Sequence, residues 1–395
     1  MKYNIRRWNP FLISIPDFGI GVFWALSGTV VPWIAYQHTK SSFLVMCILS
    51  LGAFTGIFMQ VISGVLSDRM PYNPKYGKRT PWLLGGVIFT AIFAILLSLV
   101  PNFFTLFIVA FLVYASLNFF QGVYYTMVME AVDPDQIGLA NTLARTTAQI
   151  GATAISFISA WVFLNFGVFW TCIIIALMLI IPAFSILPWL LKERPERISE
   201  TKLERKGFKF DFHKYPKVLQ LFITATAFYA TYACIVPMLT PYFSNTLGLD
   251  KENIATAMTI FAFVSIFYGI FASRLNDWFN RKKVLISALG VFTIIVIAGN
   301  FVDSSTKLYF FMGAAGIGYL AAQIALYTYL AEVAPEGRLG EYQGLLNLFI
   351  SASQFILMPL LGELIDLGLH ALLYPFATIM IVIAFLNMIR KVEEN

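Results

Sequence analysis

Twelve long, mostly apolar runs follow one another with only short polar breaks, and this spacing leaves a chain few folds. The runs fall at about 10–37, 43–67, 81–100, 102–129, 139–166, 168–191, 217–246, 253–279, 283–302, 307–331, 338–365 and 370–390. At about 1.5 Å of helix per residue, runs of this length match a hydrocarbon layer about 30 Å thick. Lipid offers no partner to a free peptide group, so each run must close its own hydrogen bonds as a helix. The first run is not a cleaved signal peptide, because it is too long, carries Asp17 and lacks a small-residue cleavage site. Composition agrees, with 59% hydrophobic and only 12% charged residues and a mean hydropathy of +0.76. A soluble enzyme, a secreted disulfide scaffold and a nucleic-acid-binding protein are set aside, since Cys47, Cys172 and Cys234 all lie inside apolar runs. The expected fold is an all-α membrane protein of twelve transmembrane helices.

The basic residues orient those helices. Of 27 Lys and Arg, 23 fall on one face of the alternating topology, three (Lys40, Lys251 and Lys307) on the other, and Arg145 within a span. Positive charge is retained on the cytoplasmic side, so both termini are expected there. The excess of base over acid, net +6, is thus mainly topological. A patch for anionic lipid or nucleic acid is the weaker reading, because five acidic residues interleave the nine bases of the 192–217 loop.

That loop divides the chain into a six-helix half at 1–191, a cytoplasmic linker at 192–216 and a second six-helix half at 217–395. The halves repeat weakly. GVLSDRMPYNPKYGKR after span 2 answers SRLNDWFNRKK after span 8, pairing Asp68 with Asp277, and EAVDPDQIG after span 4 answers EVAPEGRLG after span 10, pairing Glu130 with Glu332. Such repeats build transporters whose halves rock about a midplane substrate site. Acids at helix C-termini oppose the macrodipole and need cations, for which Arg69, Lys78, Arg79, Arg281 and Arg338 are at hand. These residues are expected to form a cytoplasmic gate that makes and breaks ion pairs; solvated interfacial charge is the bland alternative.

Two charges lie at depth, where each costs at least about 2.5–3.5 kcal/mol. Asp17 sits seven residues into span 1 and Arg145 seven residues beyond Gly138 in span 5. Their equal depth and opposite sign suggest a pair that trades a cationic partner for a proton, with Glu130 as a second proton site; a fixed structural salt bridge is the alternative. Around them polar residues keep helical spacing: Asn118, Gln121 and Tyr125 in span 4; Asn141, Arg145, Gln149, Thr153 and Ser156 in span 5; Tyr319, Gln323 and Tyr327 in span 10; Asn347, Ser351 and Gln354 in span 11. Amides and hydroxyls suit a neutral polyhydroxylated ligand, and a ring such as Trp24 or Tyr319 could stack on a sugar face. The same residue types also serve interhelical hydrogen bonding.

The run GKRTPW (Gly77 to Trp82), following GVLSDR, resembles the signature loop of the glycoside-pentoside-hexuronide (melibiose permease-like) symporters of the major facilitator superfamily. The segments GVFWALSGTVVPWI, QVISGVLSDR and NFFQG are similar to its sucrose-transporter-like branch; the second half matches mainly through AEVAPEGRLGEYQGLLN. The resemblance implies that Asp17 and Arg145 bind sugar and that Gln121 falls near an acidic sugar ligand of span 4. Where sodium-coupled members carry acidic cation ligands in span 2, this chain has Gly56 and Gln60. Proton coupling is therefore expected rather than sodium coupling, because a hard cation wants anionic oxygens.

The leading expectation is a monomeric sugar symporter of the plasma (inner) membrane that takes up a disaccharide or other glycoside, with no metal or organic cofactor. Export of a lipophilic drug or lipid is an alternative, prompted by 38 Phe and 13 Met. A sensor, or a membrane acyl- or prenyltransferase, is a further one. The enzyme reading lacks its usual residues, since His38 and His370 lie at external span ends and His213 in the central loop.

Overall fold

The computed structural model describes residues 9–71, 77, 79–132, 137–186, 214–335 and 339–391. Thirteen α-helices occupy this part of the chain: α1 (Asn9–Ser14), α2 (Asp17–Gly28), α3 (Val30–Ala35), α4 (Ser42–Arg69), α5 (Thr80–Leu96), α6 (Phe103–Ala131), α7 (Ile137–Ser185), α8 (Pro216–Ala233), α9 (Lys251–Trp278), α10 (Arg281–Gly299), α11 (Ser305–Val333), α12 (Leu339–Asp366) and α13 (Leu373–Ile389). Ten described helical stretches are long and apolar enough to cross a membrane. The chain is a multi-pass membrane protein.

The helices depart from the sequence reading where proline and glycine dictate. The run at 10–37 is three helices rather than one, since Pro16 and Pro32 have no N–H for the carbonyls four residues before them. The run at 217–246 stops being α-helical at Ala233, four residues before Pro237, and ends in a π-helical turn at Leu239–Ser244. The runs at 139–166 and 168–191 are continuous in α7, broken only at Gly167, whose φ of 84° and ψ of 179° are not helical. Two helix starts carry the caps their residues suit. Asn102 and Thr105 form a reciprocal capping box on α6, and the Asn280 side chain accepts from the Lys283 amide on α10.

The chain divides into two compact units, which do not follow the division at 191 and 217. One comprises 1–25, 55–155 and 162–210; the other comprises 26–54, 156–161 and 211–395. Within the first unit, α2 and α7 meet at backbone distance. A Cβ on Gly21 would land on the Ala148 carbonyl, and one on Gly151 on the Phe18 carbonyl. Between apolar helices in lipid, van der Waals contact drives association, and small residues permit it. This approach fixes the two helices that carry Asp17 and Arg145. In the same unit α6 comes close to α4, with Gly122 against Gln60 and Ser63. The second unit repeats the device, with Gly316 of α11 against Phe261 and Ser265 of α9.

The second unit also captures the start of α4. The Asp366 carboxylate, closing α12, accepts from the Ser41 hydroxyl (2.6 Å) and from the backbone amides of Ser42 (2.7 Å) and Phe43 (3.0 Å). Phe54 packs on Phe355, ring centroids 4.9 Å apart, further along the same helix pair. An acid capping a helix N-terminus satisfies orphan amides and complements the dipole. At another point of this unit α8 and α13 are cross-linked by amides: Gln220 donates to the carbonyls of Asn387 and Arg390, and Asn387 donates to the Gln220 carbonyl and to Thr224.

Candidate functional site

In the first unit the site is built on α2, α6 and α7. Asp17 opens α2 directly after Pro16 and is fully buried, and among the described residues neither carboxylate oxygen has a hydrogen-bond partner. Arg145 is within electrostatic range, half-buried on α7, with its guanidinium 5.2 Å from the centre of the Tyr125 ring and 3.3 Å from the Tyr125 hydroxyl. The two depth charges interact through their electrostatic field, and among the described residues they do not form a hydrogen-bonded pair. Tyr124, fully buried beside the carboxylate, spends its proton on the Ile13 carbonyl at 2.6 Å, at the α1–α2 break. An unsolvated carboxyl without a donor is costly as an anion, so Asp17 must be held either by the field of Arg145 or by a proton.

The other residues of this unit take different parts. Trp24 is 39% exposed and stacks beside the Tyr114 ring, 6.3 Å away at 30°. Gln121 is buried and Gln149 half-buried. Asn118, expected to meet substrate, is 1% exposed, donates to Thr55 and to the Tyr114 carbonyl, and accepts from Gln60. Its amide ties α6 to α4. The same bond occupies Gln60, one of the two positions matched to sodium ligands.

In the second unit Gln323 of α11 donates to the hydroxyls of Tyr229 and Tyr319, each at 2.9 Å. Four residues on, the Tyr327 hydroxyl donates to Asn347 Oδ1 on α12 at 3.0 Å. Gln354 lies half-buried two turns further along α12. Tyr319, expected as a sugar-stacking ring, is packed among other rings. It is 7% exposed, stacked with Phe228 (5.6 Å, 12°) and Tyr232 (4.5 Å, 26°), so its ring is core and only its hydroxyl joins the polar set.

The helical stripes conceal a register that spacing within one half did not reveal. The 202-residue offset between Glu130 and Glu332 also carries Gln121 onto Gln323, Tyr125 onto Tyr327, Arg145 onto Asn347 and Gln149 onto Ser351. The contacts repeat with it, since Tyr125 bonds Arg145 and Tyr327 bonds Asn347. Tyr229 and Tyr232, on α8, were missed by the sequence reading; their signal was an aromatic pair flanking the approach to Pro237.

Of the expected gate, the side chains of Asp68, Arg69, Lys78, Glu130, Asp277 and Arg338 lie outside the described residues, as does that of Asn141 in the span 5 stripe. Arg79 is 3% exposed and donates to Ser67 at 2.6 Å, next to the Asp68 position. Arg281 is half-buried at the start of α10, and Glu332 is exposed near the end of α11.

An all-helical membrane chain with two units that each carry a polar, repeat-related helix pair is the build of a transporter. A family profile, that of the Major Facilitator Superfamily, matches residues 18–219 and 221–394. The chain belongs to the Major Facilitator Superfamily. It is accordingly a membrane transporter, and members of this superfamily are in general transporters rather than enzymes. No curated protein matches the chain. For a Major Facilitator protein, the depth charges and polar stripes are the groups through which substrate and coupling ion would be read.

Proposed function

We propose that this transporter takes up a sugar, a disaccharide or other glycoside, across the plasma membrane together with protons, by alternating access, and that it belongs to the glycoside-pentoside-hexuronide symporters near their sucrose-transporter-like branch. The observation that carries the proposal is Asp17, fully buried with both oxygens unbonded and Arg145 in electrostatic range. A group whose charge must be balanced either by a neighbouring cation or by a proton can couple proton movement to substrate binding. Among the described residues the phenols Tyr124 and Tyr125 accompany the pair, and the polar stripes of the spans are amides, phenols and hydroxyls, which fits a neutral polyhydroxylated substrate. Trp24 offers an open ring for a sugar face.

The sodium alternative has little to stand on. Gly56 offers no side-chain oxygen, and Gln60 is hydrogen-bonded to Asn118. Twelve spans with both termini cytoplasmic complete the proposal. The stretch Leu143–Ser185 has 43 residues, about 65 Å of helix and twice the hydrocarbon thickness. Gly167 divides it into two spans. α8 with its π-helical continuation to Ser244 supplies the remaining one.

The test is counterflow in proteoliposomes with labelled sucrose, maltose, lactose and melibiose across an imposed pH gradient. Exchange of at least one sugar, accelerated by the gradient, is expected. If none exchanges while lipids or lipophilic cations shift the thermal unfolding of the protein, export of a lipophilic compound replaces the sugar reading.

A further inference from the structure

Asp17 lies at a break between helices, and a phenol from α6 bridges that break. Ile13 stands four residues before Asp17, and in an unbroken helix its carbonyl would accept from the Asp17 amide. Here α1 ends at Ser14 and α2 begins at Asp17, with Pro16 between them, and a side chain reaches the Ile13 carbonyl instead. The Tyr124 hydroxyl lies 2.6 Å from it. A carbonyl has no proton to give, so the phenol is the donor. Tyr124 is fully buried, its ring packed beside those of Phe120 and Tyr125. Its hydroxyl also belongs to the surroundings of the Asp17 carboxyl, since the two groups act on one another. Among the described residues, Arg145 from α7 and Tyr124 from α6 act on Asp17, while Tyr125 acts on Tyr124 and bonds Arg145. One phenol proton thus stands near two acceptors. It is spent on the carbonyl, and both carboxyl oxygens go without a bond. A hydrogen bond to an ion is roughly twice as strong as one to a neutral group, so a buried carboxylate ion would draw that proton to itself.

We infer that Tyr124 is the positioning residue of the coupling site: its hydroxyl holds the Ile13 carbonyl while Asp17 carries a proton, turns to the carboxylate when that proton leaves, and so frees the end of α1. The inference rests on the reading of Asp17 as the proton-coupling group and adds to it a route by which the charge reaches the start of the helix. The only covalent bond to break is the carboxyl O–H, whose proton leaves to solvent; the phenol keeps its own proton and redirects it. Arg145 supplies a field that is the same before and after, because a guanidinium stays charged. Tyr124 supplies the part that changes, since a hydroxyl can turn while its ring stays packed. Across the break the backbone bonds are local turns, such as Phe18 to the Ile15 carbonyl and Gly19 to the Pro16 carbonyl, each 3.1 Å. Tyr124 ties the same joint to another helix, so withdrawing it loosens the joint.

The experiment is an infrared titration of the purified protein between about pH 5 and pH 9, following the protonated-carboxyl band that is absent from Asp17→Asn, with amide hydrogen exchange over residues 9–20 at each pH. Phenylalanine at position 124 keeps the ring and removes the donor to the Asp17 anion. The protonated form should therefore persist to higher pH, with the midpoint in Tyr124→Phe about one pH unit above that of the wild type. Exchange over 9–20, corrected for its intrinsic pH dependence, should accelerate several-fold through the wild-type midpoint and be fast at every pH in Tyr124→Phe. An unmoved midpoint, even with lost thermal stability, overturns the inference, because the phenol is then only a strut for α1. Exchange that ignores the titration overturns it too. If Tyr124→Phe does not fold, the wild type still decides. The tyrosine C–O stretch should change with the Asp17 midpoint and stay constant in Asp17→Asn, and a band indifferent to that midpoint overturns the inference. Failure of the coupling reading looks different, since no Asp17 band then titrates in the wild type and the role of Tyr124 falls with it. If the wild type moves none of the four sugars while the Tyr124→Phe shift is present, the inference stands and only the sugar is wrong.

Discussion

Asp17 and Asn118 show how differently two buried polar residues can be treated. Asn118 has its bonds made, to Thr55, the Tyr114 carbonyl and Gln60, while Asp17 has none made at either oxygen. Replacing Asn118 with Ala removes its bonds to Thr55, Gln60 and the Tyr114 carbonyl and should cost about 1–3 kcal/mol of stability. Thermal unfolding in detergent should show the loss, while KM for sugar in the surviving protein stays near the wild-type value. Replacing Arg145 with Gln removes the cation within range of Asp17 and leaves the carboxyl only its proton as a means of balance. Sugar counterflow at low pH should persist in that variant, and pH-driven accumulation should be lost. A variant that still accumulated sugar against its gradient would remove Arg145 from the coupling site. Asp17 and Arg145 were both legible in the sequence because charge is so scarce there that its placement at depth stands out. Their lack of a direct hydrogen bond was not, since it depends on which way two side chains turn.

At the scale of helices, close approach and capping govern. Gly21 and Gly151 let α2 lie on the α7 backbone, so Gly21→Val should prevent that packing. In contrast, Gly64→Ala, where nothing lies within 4 Å of a Cβ, should be neutral. Size-exclusion profiles of the detergent-solubilised variants would separate these outcomes, with aggregation expected for the first only. At the α4 N-terminus, Asp366→Ala should cost about 1 kcal/mol of local stability, the usual worth of a cap. Amide exchange at Ser42 and Phe43 should accelerate several-fold in that variant, and unchanged exchange would mean the cap contributes nothing. The spans were readable from apolar run lengths, and their interruptions from Pro16, Pro32, Pro237 and Gly167. The capture of 26–54 by the second unit was not readable. It rests on contacts such as Ser41 with Asp366, which are 325 positions apart and share no local pattern.

Over the whole molecule, the chain is a Major Facilitator transporter with two compact units, and the proposed function asks of it both a coupling charge and a neutral substrate site. The sequence showed the repeat through its loops, where Asp68 answers Asp277 and Glu130 answers Glu332. The more informative register, from Tyr125–Arg145 to Tyr327–Asn347, emerged only once hydrogen bonds paired residues on different helices. Central to the account is Asp17 as the residue whose proton moves with sugar. Sugar-induced alkalinisation of the medium outside proteoliposomes tests it most directly, read with the wild type and with Asp17→Asn. The wild type should alkalinise the medium on addition of the transported sugar, and Asp17→Asn should abolish the pH change while retaining counterflow. Alkalinisation of equal extent in Asp17→Asn would contradict the claim.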